Sequence, residues 1–181
     1  MNEASIQRME KSIAALKDEF NAIRTGRASA ALFDKVRVDY YGQPTPLNQV
    51  ATVSVPEARS VVIQPFDKTL IGEIEKAIQK SELGLHPSND GKIIRIAIPP
   101  LTAERRKELV KQAKAAAETS RVAIRNIRRD GNDDLKKQQK DSKLTEDELK
   151  SAEDALQKST DKFIADINKI LETKEKEIME G

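Results

Sequence analysis

The 181-residue chain has no cysteine, no tryptophan and a single histidine, and its aromatic residues amount to only 3% of the sequence. Without thiols neither a disulfide framework nor a thiolate metal site can form. So few aromatics beside 34% charged residues argue against a large buried globule and for helices that share narrow apolar seams. No apolar run approaches the roughly 20 residues needed to cross a bilayer, and Met1 to Lys11 carries acids without a signal-like apolar core. The chain therefore reads as soluble and cytoplasmic, with no membrane partner. His86 sits in the turn-rich stretch Leu85 to Gly91, with no cysteine or G-x-S-x-G context offering a nucleophile. Gly84 and Gly91-Lys92 fail as a phosphate loop, because six residues separate the glycines and Ile93 stands where Ser or Thr is needed. Asp130, Asn132 and Asp134 match the first ligands of a calcium loop, but Leu135 replaces the required glycine. The sequence thus predicts no enzyme, no cofactor and no metal.

What the chain does have is a cationic strip. Lys107, Lys111, Lys114, Arg121, Arg125 and Arg128 recur at spacings of three, four and seven, so on a helix they share one side, interrupted only by Glu118. From Thr102 to Arg129 nine basic residues face three acids, a balance of +6, whereas the whole chain carries +2. A regular positive strip on a rigid rod suits a phosphate backbone, although a solvated helix face can have the same composition. Arg offers a two-donor fork and a stacking plane, so Arg125 and Arg128, on the same face as Arg121, are the expected nucleic-acid anchors, while Lys107, Lys111 and Lys114 supply less directional attraction. Arg129 points about 100° away from Arg128 and lies four residues before Asp133, within pairing distance on a helix.

Three segments have helical grammar. Ile6, Met9, Ile13, Leu16, Phe20 and Ile23 form a heptad-like seam that Gly26 should end or bend. The segment from Thr102 to about Lys140 carries its basic strip on one side and Leu109, Ala113, Ala116, Ser120, Ile124 and Ile127 on another, with Gly131 as a weak point. Thr145-Glu146-Asp147-Glu148 reads as a capping box ahead of Leu149, Ala152, Leu156, Phe163, Ile167, Ile170 and Ile178. The intervening stretch has a different pattern. Strands are expected over Lys35 to Tyr41, Val50 to Val55, Ser60 to Gln64 and Lys92 to Ile98, a turn at Gly42 to Pro46, and one short helix over Lys68 to Lys80. Its eight basic and eight acidic residues cancel.

An isolated amphipathic helix cannot bury its seam, so the first helix must pack with the second and third across the inserted module. This gives a discontinuous bundle (1–29 plus 102–181) and an inserted domain (30–101). Two short crossings join them. Ala28, Ser29 and Ala30 on one, and Pro99, Pro100 and Leu101 on the other, are the expected hinge.

Arg24-Thr25-Gly26-Arg27-Ala28-Ser29, Tyr40-Tyr41-Gly42, Pro44-Thr45-Pro46-Leu47, Leu83-Gly84-Leu85, Pro99-Pro100-Leu101-Thr102 with Glu104-Arg105-Arg106, and Arg125-Asn126-Ile127-Arg128-Arg129-Asp130 together resemble the bacterial ribosome recycling factors. The resemblance spans the chain, with His86 in place of Asn and Gly131 in place of Ala. It implies an α+β protein: an elongated antiparallel three-helix bundle with an inserted small β/α/β domain, L-shaped with a hinge. It also implies a monomeric, non-enzymatic factor that binds the post-termination ribosome at the aminoacyl and peptidyl transfer RNA sites. The bundle would lie on large-subunit ribosomal RNA, and elongation factor G with GTP would act on the small domain. Contacts carried over by position are Arg125, Arg128 and Arg129, with Arg24, Gly26 and Arg27 near the hinge. Arg121 and Lys114 join them on the strip. The competing reading is a coiled-coil scaffold whose seams capture partner helices, which self-association would reveal.

Overall fold

The computed structural model describes residues 1–180. In chain order the helices are α1 (Glu3–Asn21), a single turn α2 (Leu47–Val50), α3 (Ile71–Lys80), α4 (Ala103–Lys140) and α5 (Glu146–Glu180). The strands are β1 (Arg37–Tyr40), β2 (Gln43–Pro46), β3 (Ala51–Glu57), β4 (Ser60–Pro65), β5 (Pro87–Asn89) and β6 (Ile94–Ala97). The chain divides into two units, one of Met1–Thr25 with Thr102–Glu180 and one of Gly26–Leu101.

The first unit packs α1, α4 and α5 against one another. Most seam residues sit where 3.6-residue periodicity puts them: Met9, Ile13, Leu16 and Phe20 of α1, Leu109, Ala113, Ala116, Ser120, Ile124 and Ile127 of α4, and Ala152, Leu156, Ile167 and Ile178 of α5 are buried, while Ile6, Leu149, Phe163 and Ile170 are half-buried. At 1.5 Å per residue the 38-residue α4 is about 57 Å long. It starts where Thr102 Oγ1 accepts from Arg105 N–H at 3.1 Å, a conventional N-cap. α5 starts in the same way: Thr145 Oγ1 accepts from Glu148 N–H at 3.1 Å and donates to Glu148 Oε1. Gly131 does not break α4. A Cβ at this position would lie 2.7 Å from Ser5 Oγ and 2.8 Å from Leu156 Cδ2, so the missing side chain lets all three helices approach. The first helix ends at Asn21 rather than at Gly26.

The second unit holds a four-stranded antiparallel sheet in the order β3-β4-β6-β5 and a separate β1-β2 hairpin. Val61, Ile63, Ile94 and Ile96 of the sheet share one core with Ile71, Ile74 and Ile78 of α3 and with Val36, Val38, Leu47 and Val50. Two segments read as turns are edge strands. Gln43–Pro46 pairs only with β1 and Pro87–Asn89 only with β6. Their prolines cost no ladder bond on an open edge, which is why turn-like composition concealed them. At the hairpin, Tyr41 (φ 48°) and Gly42 (φ 87°) are both left-handed, the requirement of a tight two-residue turn.

Candidate nucleic-acid interface

Burial of the Leu109 to Ile127 stripe fixes the roll of α4 and brings its basic residues to the edge beside α5. There the strip divides into two zones. Lys107 and Lys111, near the start of the helix, are exposed and make no ion pair or hydrogen bond among the described residues. From Lys114 onward each cation has a partner. Lys114 Nζ lies 3.9 Å from a Glu175 carboxylate oxygen. Arg121 Nε donates to Asn168 Oδ1 at 2.9 Å and its Nη1 to Glu118 Oε2 at 2.8 Å. The other oxygen of Glu118 stands 3.6 Å from Arg125 Nη1. Arg128 Nη1 donates to Gln157 Oε1 at 3.2 Å, and Gln157 Nε2 donates to Asp161 Oδ1 at 2.9 Å.

Glu118 is therefore more than an interruption of the strip. Its spacing of three to Arg121 and seven to Arg125 could have been read from the sequence as a shared carboxylate. Asn168, Gln157 and Asp161 could not, since they arrive from α5 only once the helices have packed. The arginines also differ in exposure. The Arg121 side chain is 18% exposed, whereas that of Arg125 is 44% exposed, so Arg125 presents more of its fork to a ligand.

The remaining candidates are more scattered. Arg129 is exposed and makes no pair with Asp133. The neighbouring Asp130 instead bonds Arg8 of α1 at 3.2 Å. Arg24 and Arg27 are exposed, while Gly26 is buried. Gly26 has φ 77°, and a Cβ there would meet Leu101 Cγ at 3.2 Å. Ala28 N–H donates to Ala58 O at 2.7 Å, which ties this residue to the second unit. Ser29 Oγ accepts from Ala31 N–H to cap a 3-10 turn over Ala30–Phe33. Pro99 and Pro100 are exposed and outside any element, and Leu101 is half-buried. Asp130, Asn132 and Asp134 belong to α4, and no group of three or more metal-ligating side chains gathers among the described residues. No described helix is long and apolar enough to cross a membrane.

A family model described as "Ribosome recycling factor" matches residues 16–179. The ribosome-recycling factor of Treponema denticola is 66% identical over 175 residues, covering 97% of this chain and 95% of that protein. The Bacillus thuringiensis factor is 59% identical over 177 residues, covering 98% and 96%. Among solved structures, a solution structure of a ribosome recycling factor matches with TM-score 0.80 and 43% identity, covering 99% of this chain and 95% of that one. The Thermus thermophilus factor, described with Escherichia coli elongation factor G bound to the E. coli post-termination complex, matches with TM-score 0.63 and 49% identity, covering 97% and 95%. With its long helices, small antiparallel sheet and near full-length identity to these proteins, the chain belongs to the ribosome recycling factor family.

Proposed function

We propose that this chain recycles ribosomes at the end of translation, binding the post-termination ribosome through α4 of the helical unit. It would occupy the region of the transfer RNA sites and lie against large-subunit ribosomal RNA. The observation that carries this reading is the α4 strip: unpaired Lys107 and Lys111 at one end, and partly exposed Arg125 and Arg128 on the same helix. Free lysines attract phosphate at long range, and forked arginines fix register on it. The charge-balanced second unit is the part suited to engagement by a protein, and elongation factor G fills that role because a relative has been described with it on a post-termination complex.

In this reading the chain is cytoplasmic, monomeric and performs no chemistry, since GTP hydrolysis belongs to the elongation factor. The two crossings, with Ala28, Ser29 and Ala30 on one and Pro99, Pro100 and Leu101 on the other, act as the hinge between the units. Co-sedimentation with post-termination ribosomes across a salt series tests the proposal. Binding that weakens steadily with salt supports it, and no binding even at low salt overturns it. Sedimentation of the free protein separates it from the scaffold reading, which requires dimers or captured helices.

A further inference from the structure

We infer that Glu118 is a positioning residue that aims Arg125 at ribosomal RNA, an assignment that rests on the RNA-binding reading of α4. Its two carboxylate oxygens serve two guanidinium groups, Oε2 at 2.8 Å from Arg121 and Oε1 at 3.6 Å from Arg125. Arg121 in turn is anchored on α5 by the 2.9 Å bond to Asn168. The result is a polar relay, Asn168 to Arg121 to Glu118 to Arg125, that begins on a neighbouring helix and ends at the more exposed of the two arginines it joins on α4. Arg121, largely covered and bonded on two sides, is the keystone of the relay.

A long arginine side chain loses considerable rotamer freedom when it grips a phosphate, and holding it in place beforehand removes part of that cost. The assignment makes a prediction opposite in sign to simple electrostatics. Glu118 is the only acid within the strip, so removing its charge should tighten binding to a polyanion if charge alone mattered. If Glu118 positions Arg125, its loss weakens binding.

The experiment measures ribosome affinity across a salt series for wild type, Glu118→Ala, Glu118→Gln, Asn168→Ala and Asn168→Asp, with a thermal melt of each to verify folding. Glu118→Ala and Asn168→Ala should each weaken binding about two- to tenfold with little change in melting temperature. Glu118→Gln should fall between Glu118→Ala and wild type, because it keeps an acceptor for Arg121. Asn168→Asp, which retains the Arg121 acceptor, should bind more tightly than Asn168→Ala despite its added negative charge. Tighter or unchanged binding by folded Glu118→Ala overturns the positioning role while leaving the RNA-binding reading intact. Failure of wild type to bind ribosomes overturns both.

Discussion

Arg121 and Asn168 join α4 to α5 through a 2.9 Å hydrogen bond, placing a residue of the cationic strip inside the bundle's own polar network. Strip residues therefore differ in what they support. Arg121→Ala removes this bond, the ion pair to Glu118 and the packing of a mostly covered side chain. It should lower stability by about 1 kcal/mol, read as a shift in the denaturant midpoint at unchanged slope.

Lys107 and Lys111 support nothing within the fold. Lys107→Ala and Lys111→Ala should leave stability within about 0.5 kcal/mol of wild type. Each should lower the slope of log affinity for ribosomes against log salt by about 0.7 to 0.9. Titrations at several salt concentrations measure this, and slopes equal to that of wild type would remove the lysine zone from the interface.

Gly26 combines a left-handed backbone with Leu101 Cγ only 3.2 Å from where a side chain would begin. Gly26→Ala should destabilise the second unit by about 1–2 kcal/mol. The companion change Leu101→Ala relieves the contact but not the backbone strain, so the double variant should remain less stable than Leu101→Ala alone. Urea unfolding of the three variants provides the comparison.

Two exposed carboxylates contribute to the acid dependence of the second unit. Asp67 is held below the usual aspartate value first by the Thr69 hydroxyl and then by Thr69 N–H. Asp90 is lowered by the N–H groups of Ile93 and Lys92, in that order. A depressed folded-state pKa contributes stability above the unfolded value and loses it as pH falls through the folded one. Unfolding midpoints should accordingly drop below the ordinary aspartate range, and Asp67→Asn with Asp90→Asn should flatten that limb. An unchanged acid limb in the double variant would exclude these two groups as its source.

The helical unit was legible because its seams are periodic and its caps are local: Thr102, Thr145 and the Leu109 to Ile127 stripe act within a few residues of one another. Contacts made across the bundle were not. The buried Thr160, whose hydroxyl bonds Leu156 O at 2.8 Å, lies on the α5 seam, where a polar side chain gives no hydrophobic signal in the sequence. Phe163 and Ile170, expected to be as deeply buried as Leu156, are half-buried. In the second unit, β2 and β5 were concealed by Pro44, Pro46 and Pro87, which read as turn residues until the sheet edges are known. For the candidate interface, residue type and helical spacing identified the cations, but only tertiary packing separates the free lysines from the tethered arginines.

The notch at Gly131 acts as a key for chain alignment. Only a small side chain fits above it, and the residue there is Ser5. Sliding α1 by one turn would present Met1 or Met9 instead, and neither thioether could enter without prising the helices apart. A seam of interchangeable aliphatic residues tolerates such slippage, whereas this notch rejects it, so one missing methyl group dictates the axial register of the first helix.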